Sequence, residues 1–228
     1  MTSPFMRATG LSEIAGRYDL LLCDVFGTLH DAHETFPEAL DALARFRLGG
    51  GTVVLVSNAA DPGPELAVSL ALRGIAGLFD ALATAGDVAR AMIREQGPKT
   101  VFHIGPGRDQ ILFDGLGCRL DGPEADLIVC TGYAEVDADL DDALNAASRR
   151  GALMLCTNPD TTLRIDGQEL RFAGLAADRY RTLGGVAVNT GKPGRQIYRA
   201  ALDAAQTICT RDFAPERILG LGDTPGST

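Results

Sequence analysis

The chain has 228 residues, a formal net charge of -9 at pH 7 and 46% hydrophobic residues, with an isoelectric point near 4.8. This acidic balance argues against nucleic acid and anionic membranes as main partners, because phosphate backbones and headgroups are bound by clustered Lys and Arg side chains. The length suffices to bury the core of one large domain or of two modest ones. A few local donors or a divalent cation still allow an acidic chain to bind a small phosphate compound.

The cysteines and the first residues of the chain indicate the compartment. No two of the five cysteines form a C-x-x-C motif, and three lie inside apolar runs, which is typical of buried thiols in a reducing compartment. Residues 1–10 lack the charged start and apolar core of a signal peptide, and no apolar run is long enough to span a membrane. The sequence therefore predicts a cytoplasmic protein.

The first predicted strand ends on a carboxylate. An apolar run reaches Cys23 and is followed by Asp24, Val25, Phe26 and Gly27. Ligands of parallel α/β sheets bind outside the carboxyl ends of the strands, so Asp24 is expected at the mouth of a site. The alternative is that Asp24 only stabilises a turn, because Asp and Gly are ordinary turn residues.

Apolar, β-rich runs alternate with helical patterns along the rest of the chain. This alternation is typical of βαβ units and predicts a parallel sheet. Helices are predicted from Pro37 to the glycines at 49–51, over 64–73, and after Lys192-Pro193. An Asp-Gly pair inside 162–172 indicates a hairpin. Further strands are predicted over 52–56, 78–84, 100–104, 126–130, 152–156, from 186 onward, and over 217–221.

Four strand-end residues offer the groups that phosphoryl transfer requires. Asp24 supplies a nucleophile, Ser57 a hydroxyl for a phosphoryl oxygen, Lys192 a cation, and Asp223 a carboxylate for a metal. Magnesium is also needed, since an aspartate and a phosphate dianion repel each other without a cation between them. Each residue has a structural alternative: Ser57 as a helix cap, Lys192 as a solvated surface side chain, and Asp223 as a turn residue.

Five short segments carry a family resemblance. They are Asp24-Val25-Phe26-Gly27-Thr28-Leu29-His30-Asp31, Val54-Leu55-Val56-Ser57-Asn58, Thr157-Asn158-Pro159-Asp160, Gly191-Lys192-Pro193 and Gly222-Asp223-Thr224. In this order and spacing they resemble the haloacid dehalogenase (HAD) superfamily, and within it the class IIA branch of NagD-type sugar and nucleotide phosphatases.

The resemblance implies a Rossmann-like parallel core with an inserted α/β cap domain. The core domain is expected over residues 1–84 and 186–228, and the cap domain over 85–185. The implied activity is that of a magnesium-dependent phosphatase of a small phosphorylated metabolite, and dimerisation through the cap is common in this branch. The family's last core strand and helix have no counterpart after Thr228, which predicts a truncated fragment.

The resemblance also assigns roles to individual residues. Asp24 is implied to form an aspartyl-phosphate, while Ser57 holds the phosphoryl group and Lys192 offsets its charge. Asp24, the main-chain carbonyl of Phe26 and Asp223 are implied to hold Mg²⁺. The residues expected at the substrate are Gly27, Thr28, Asn58, Thr157 and Asn158.

One departure from the family pattern concerns catalysis. The family has a second aspartate where this chain has Phe26, and that aspartate protonates the leaving oxygen and then activates water. General acid-base help is worth about a hundredfold to ten-thousandfold in rate. Either His30 or Asp31 replaces the missing aspartate, or both residues have a structural role or lie around the bound metal ion. A degenerate HAD-fold module that binds phosphate or a partner without turnover is therefore the alternative function.

Other patterns have less specific interpretations. His103 lies inside an apolar strand, which is typical of a core histidine, and Gly105-Pro106-Gly107 lacks the third glycine of a dinucleotide loop. A receiver-type signalling domain also uses an aspartate, a hydroxyl and a lysine on a parallel sheet. Such a domain is too small to contain the predicted insert.

Overall fold

The computed structural model describes residues 8–97, 99–133, 137–165 and 168–223, which form alternating strands and helices. The strands are β1 Leu20–Asp24, β2 Thr52–Ser57, β3 Ala81–Thr84, β4 Thr100–Ile104, β5 Arg119–Asp121, β6 Leu127–Cys130, β7 Leu153–Cys156, β8 Thr162–Ile165, β9 Gln168–Arg171, β10 Val186–Asn189 and β11 Ile218–Leu221. The α-helices are α1 Pro37–Leu48, α2 Gly63–Leu72, α3 Ala85–Gln96, α4 Ala138–Arg150, α5 Gly174–Thr182 and α6 Arg195–Cys209.

The strands form a four-stranded sheet of order β11-β1-β2-β3, a five-stranded sheet of order β10-β7-β6-β4-β5, and the hairpin β8-β9. β1 pairs in parallel with β2 and with β11, and all of its residues are buried. The predicted parallel α/β fold is therefore confirmed. The first and last strands of the described chain share one sheet, as an inserted domain requires.

The chain divides into two compact units. One comprises Met1–Val56, Ala67–Leu82 and Ala201–Thr228, and the other comprises Ser57–Leu66 and Ala83–Ala200. β10, which begins at the predicted return to the core domain, pairs with β7 of the five-stranded sheet. The assignment of core and cap domains stays a prediction.

Helix α1 shows how the sequence fixes local structure in the first unit. Pro37 occupies the first turn, where its missing N–H costs no hydrogen bond, and Leu43 and Phe46 face the core. The helix ends at Gly49-Gly50-Gly51, as predicted. A Cβ on Gly51 would overlap the Phe46 ring, so a glycine is needed where the chain turns back.

A half-buried ion pair connects α1, β2 and the segment before β3. The guanidinium of Arg47 donates from Nε to both Asp80 oxygens, at 3.2 and 3.1 Å, and the Val53 N–H donates to Asp80 Oδ2 at 2.8 Å. Burial raises the pKa of Asp80, but the Arg47 and Val53 hydrogen bonds outweigh it and leave the pKa below 3.8. β3 begins at Ala81, so the predicted start at residue 78 is wrong.

The second unit is built around the five-stranded sheet. Tyr180 of α5 is fully buried and its hydroxyl donates to the Ala152 carbonyl at 2.6 Å. The short strand β5 was not predicted, because its three exposed residues carry no apolar alternation. The predicted hairpin is confirmed as β8-β9, with its turn residues 166–167 outside the described residues.

The described residues bear on two sequence-based predictions, one about membrane-spanning segments and one about the cysteines. Within the described ranges, no helix is both long and apolar enough to cross a bilayer. The same residues include all five cysteines, and these form no disulfide. Burial raises the pKa of the Cys156 thiol to about 12, which agrees with the predicted structural role of the apolar-run cysteines.

Replacing Asp80 with Asn should lower the free energy of unfolding by about 1–3 kcal/mol at pH 7, because the half-buried guanidinium of Arg47 and the buried N–H of Val53 lose a charged acceptor. The depressed pKa means that ionised Asp80 stabilises the fold fully above pH 3.8 and that this contribution is lost as the pH falls through the folded pKa. Urea titrations should therefore show the difference shrinking below pH 3.8.

The matched control is Asp41→Asn, since Asp41 forms an exposed ion pair with Arg45 at 2.7 Å. It should cost less than about 0.5 kcal/mol. Equal losses in the two variants would contradict the role assigned to Asp80.

Candidate active site

Asp24 ends β1 at the carboxyl edge of the four-stranded sheet. It is 6% exposed and lies opposite Val56 in the parallel register with β2. The Thr28 hydroxyl donates to Asp24 Oδ2 at 3.1 Å, and the Leu29 N–H closes the turn on the Val25 carbonyl at 2.9 Å. The sequence thus places a buried, oriented carboxylate where a strand meets a turn.

Asp223 lies close to the same turn. It follows β11, which pairs with β1 so that Cys23 is opposite Leu221. Gly27 has a φ of +83°, and a Cβ there would overlap Oδ2 and Cγ of Asp223. A glycine is therefore required at residue 27 both for the backbone conformation and for the approach of this carboxylate.

These groups fit a hard divalent cation. Carboxylate and carbonyl oxygens are the ligands that Mg²⁺ and Ca²⁺ prefer. In the part of the chain that the structure describes, no group of three or more His, Cys, Asp or Glu side chains could hold a metal ion. The predicted ligand set of Asp24, Asp223 and the Phe26 carbonyl has two carboxylates and takes its third oxygen from the main chain.

Phe26 and His30 face each other across the turn. The Phe26 side chain is 40% exposed, and its ring meets the His30 ring edge-on at a centroid distance of 5.8 Å. Isolated β-bridges join Phe26 to His30 and His30 to Thr35, and the Gly27 N–H donates to the His30 carbonyl at 2.7 Å. The backbone of His30 is thus held from both sides.

Asp31 has a different environment. Its Oδ1 accepts the N–H groups of His33 and Glu34, each at 2.8 Å. The hydrogen bonds from Glu34 and His33 lower the pKa of Asp31. The side chain is therefore an ionised acceptor that closes a turn, which argues against Asp31 as a proton donor near neutral pH.

In the second unit, the residues of two further motifs lie together. Asn58 Oδ1 accepts the Lys192 N–H at 2.7 Å. A Cβ on Gly191 would overlap the Thr157 carbonyl and crowd Asn58 Oδ1 at 2.6 Å, so the close approach of these segments requires glycine. Lys192 is only 4% exposed, so the alternative of a solvated surface lysine is wrong.

Ser57 is buried as the last residue of β2. Its Oγ accepts the Ala59 N–H at 3.2 Å, and α2 begins only at Gly63. The alternative of a cap for that helix is therefore wrong, and the hydroxyl can still donate a proton to another acceptor.

Thr157 and Asn158 are engaged locally. The Thr157 hydroxyl is fully buried and donates to the Thr131 carbonyl at 3.5 Å. Asn158 Oδ1 accepts the Asp160 N–H at 3.0 Å. Both side chains stabilise the segment after β7, and their role at a substrate stays a prediction.

Two further features of the second unit bear on the sequence interpretation. His103 Nε2 lies 2.8 Å from Thr131 Oγ1, and burial lowers the His103 pKa, as expected for a neutral core histidine. Asp61 belongs to none of the sequence motifs, and its pKa is raised by burial and then by the charge of Asp109. In the sequence, only the position of Asp61 four residues after Ser57 points to this residue.

The chain is similar to known hydrolases. A family model described as haloacid dehalogenase-like hydrolase matches residues 21–119. A crystal structure of a haloacid dehalogenase-like hydrolase from Brucella suis 1330 has 37% sequence identity, covers 95% of this chain and 82% of that chain, and has a TM-score of 0.85. The sequence matches no curated protein significantly.

Two more distant structures share the fold. A glycerol phosphate phosphatase from Mycobacterium tuberculosis, in complex with calcium, has 24% identity over 94% of this chain and a TM-score of 0.69. NagD from E. coli K-12 has 23% identity over 92% of this chain, 81% of its own chain, and a TM-score of 0.71. This chain spans 62% of the mycobacterial protein. Together with the ordered motifs, the match to the Brucella protein shows that the chain belongs to the haloacid dehalogenase-like hydrolases.

Proposed function

We propose that this chain is a magnesium-dependent phosphatase of a small phosphorylated metabolite and that Asp24 is its nucleophile. One observation carries the proposal. A buried carboxylate ends the central strand β1, and a second carboxylate, Asp223, follows the neighbouring strand β11 and lies against the glycine of the same turn. Two carboxylates at one sheet edge suit metal-assisted phosphoryl transfer.

In the proposed first step, an Asp24 oxygen attacks phosphorus while the bond to the leaving oxygen breaks. The hydrogen bond from Thr28 fixes the orientation of the carboxylate, which is a positional advantage for the attack. Water then attacks phosphorus in the aspartyl-phosphate, releases inorganic phosphate and regenerates Asp24. The covalent step divides one difficult displacement into two.

A metal ion bound by Asp24, the Phe26 carbonyl and Asp223 would neutralise charge between the nucleophile and the phosphate. Ser57 and Lys192 are proposed to bind phosphoryl oxygens. Lys192 is 4% exposed, so water screens its positive charge little. The hydrogen bond from its N–H to Asn58 fixes the Lys192 backbone.

The comparisons support this class of reaction. The mycobacterial relative is a glycerol phosphate phosphatase, and its structures were solved in complex with calcium and with magnesium. A small phosphate ester and a divalent cation are therefore proposed for this chain too. Gly27, Thr28, Asn58, Thr157 and Asn158 remain the proposed substrate-binding residues, and cytoplasmic location and dimerisation remain predictions.

A second candidate function rests on Phe26. This ring stands at the family's acid-base position and has no proton to give or take. A module that binds phosphate or a partner without turnover would have such a site. A screen of phosphate esters with Mg²⁺ separates the two functions, because turnover by the wild-type protein contradicts the binding module.

Replacing Asp24 with Asn should lower kcat for a phosphate ester by at least about a thousandfold, since a carboxamide cannot form the covalent intermediate. The control is Asp19→Asn, which changes a carboxylate at the opposite end of β1 that pairs with Arg217. This control should keep turnover within about twofold of wild type. Undiminished hydrolysis by Asp24→Asn would show that the nucleophile is wrong.

Replacing Gly27 with Ala should weaken Mg²⁺ binding by at least tenfold in a calorimetric titration, because the new methyl group displaces the Asp223 carboxylate. Gly50→Ala is the matched control: its φ is +88° and a Cβ there meets no atom within 4 Å. Both variants should lose about 1–2 kcal/mol of stability through left-handed backbone strain. Equal Mg²⁺ affinity in the two variants would remove Asp223 from the metal site.

A further inference from the structure

Two segments of the second unit carry the proposed phosphate-binding side chains: the Ser57 segment, residues 57–63, and the Lys192 segment, residues 190–194. We propose that Thr190 is a positioning residue for both segments, because its hydroxyl joins the Lys192 segment to the helix turn that also holds the Ser57 segment. This inference rests on the proposed phosphatase function and deepens it. Thr190 is fully buried, so it acts through other residues rather than by touching phosphate.

The first turn of α3 holds the Ser57 segment at two points. The Gly86 N–H donates to the Ala59 carbonyl at 3.0 Å, and the Gly63 N–H donates to Asp87 Oδ2 at 3.0 Å. A Cβ on Gly86 would overlap a main-chain carbonyl of the same segment, so this close approach requires glycine. The course of the chain after Ser57 is therefore set by α3.

Thr190 joins the Lys192 segment to the same turn. It follows β10 directly, and its N–H donates to the Cys156 carbonyl at 2.9 Å, which continues the pairing of β10 with β7. The Thr190 hydroxyl lies 2.9 Å from the Ala85 carbonyl and 3.4 Å from the Cys156 carbonyl. A hydroxyl has one proton to donate, and the shorter contact is the better hydrogen bond. Ala85, the first residue of α3, is thus the main acceptor.

The burial of Thr190 indicates that the hydroxyl has a purpose beyond packing. The residue is 0% exposed, and a valine of nearly the same shape would fill the same space. A buried hydroxyl costs free energy unless it is hydrogen-bonded. The hydrogen bond to Ala85 offsets that cost and adds what a valine cannot, which is a fixed connection between two elements.

The connection reaches Lys192 through a short stretch of chain. Lys192 follows Thr190 by two residues, which span at most about 7 Å. The Lys192 N–H donates to Asn58 Oδ1 at 2.7 Å, so the two segments also contact each other directly. The first turn of α3 and the two segments therefore form a closed ring of hydrogen-bonded contacts, and loss of the Thr190 hydroxyl opens this ring.

An opened ring should weaken phosphate binding. A lysine and a hydroxyl bind an oxyanion well only at hydrogen-bond distance and with good alignment. A hydrogen bond to a charged group contributes enough that losing one lowers affinity by about tenfold or more. The expected effect is on phosphate affinity, which a general packing role of Thr190 would not single out.

The test compares four side chains at residue 190 by calorimetric titration of inorganic phosphate into the full chain with Mg²⁺. Thr190→Ser keeps the hydroxyl and should bind phosphate within about threefold of wild type, whereas Thr190→Val and Thr190→Ala should bind it at least about tenfold more weakly. A packing role predicts a different grouping, with Val like wild type and Ser like Ala. If Thr190→Val does not fold, the Ser and Ala variants still differ by the hydroxyl alone.

Ser148→Ala is the matched control. The Ser148 hydroxyl donates to the Leu183 carbonyl at 2.8 Å and likewise joins two elements of the second unit, α4 and the end of α5. Its loss should leave phosphate affinity within about twofold of wild type. Unchanged affinity in Thr190→Val and Thr190→Ala, or an equal loss in Ser148→Ala, overturns the role of Thr190.

The proposed function and the role of Thr190 fail in different ways. Lys192→Met that binds phosphate as well as wild type contradicts the proposed phosphoryl site, and the role of Thr190 with it. If Lys192→Met loses phosphate binding while the variants without a hydroxyl at residue 190 keep it, only the role of Thr190 is wrong. The titration requires no turnover, so the result does not depend on whether the bound phosphate ester is hydrolysed.

Discussion

The parallel register of β11, β1 and β2 is the constraint on which the candidate site depends. Pairing of Cys23 with Leu221 and of Asp24 with Val56 brings the ends of these strands to one edge. Asp24 and Asp223 are distant in sequence, yet Asp24 ends β1 and Asp223 follows β11 at that edge. Two carboxylates so placed repel each other, and such an arrangement is typical of a site in which a cation offsets the repulsion.

Much of this arrangement was predictable from the sequence, because it depends on local patterns. The apolar run before Asp24, the proline and glycines that bound α1, and the Asp-Gly pair of the hairpin each have a local physical cause. The order of the motifs then identified the family. What local patterns do not specify is which distant groups meet: the bond of Asp80 to Val53, the burial of Lys192 beside Asn58, and the pairing of β10 with β7.

At Phe26 this chain departs from the family pattern, and the departure concerns acid-base catalysis. The sequence alone does not decide whether His30 or Asp31 replaces the missing carboxylate, because both lie a few residues beyond it. The partners of the two side chains differ: two N–H groups donate to Asp31 Oδ1, while His30 Nδ1 lies 2.9 Å from the main-chain oxygen of Asp31.

The identity of the nucleophile is the central claim, and mass spectrometry of the phosphorylated enzyme tests it most directly. Wild-type protein would be quenched in acid during turnover of p-nitrophenyl phosphate with Mg²⁺, digested, and searched for a phosphoryl group. The account predicts a phosphoryl adduct on the peptide that contains Asp24, located at that residue. Turnover without an adduct at Asp24, or with the adduct at another residue, would contradict it.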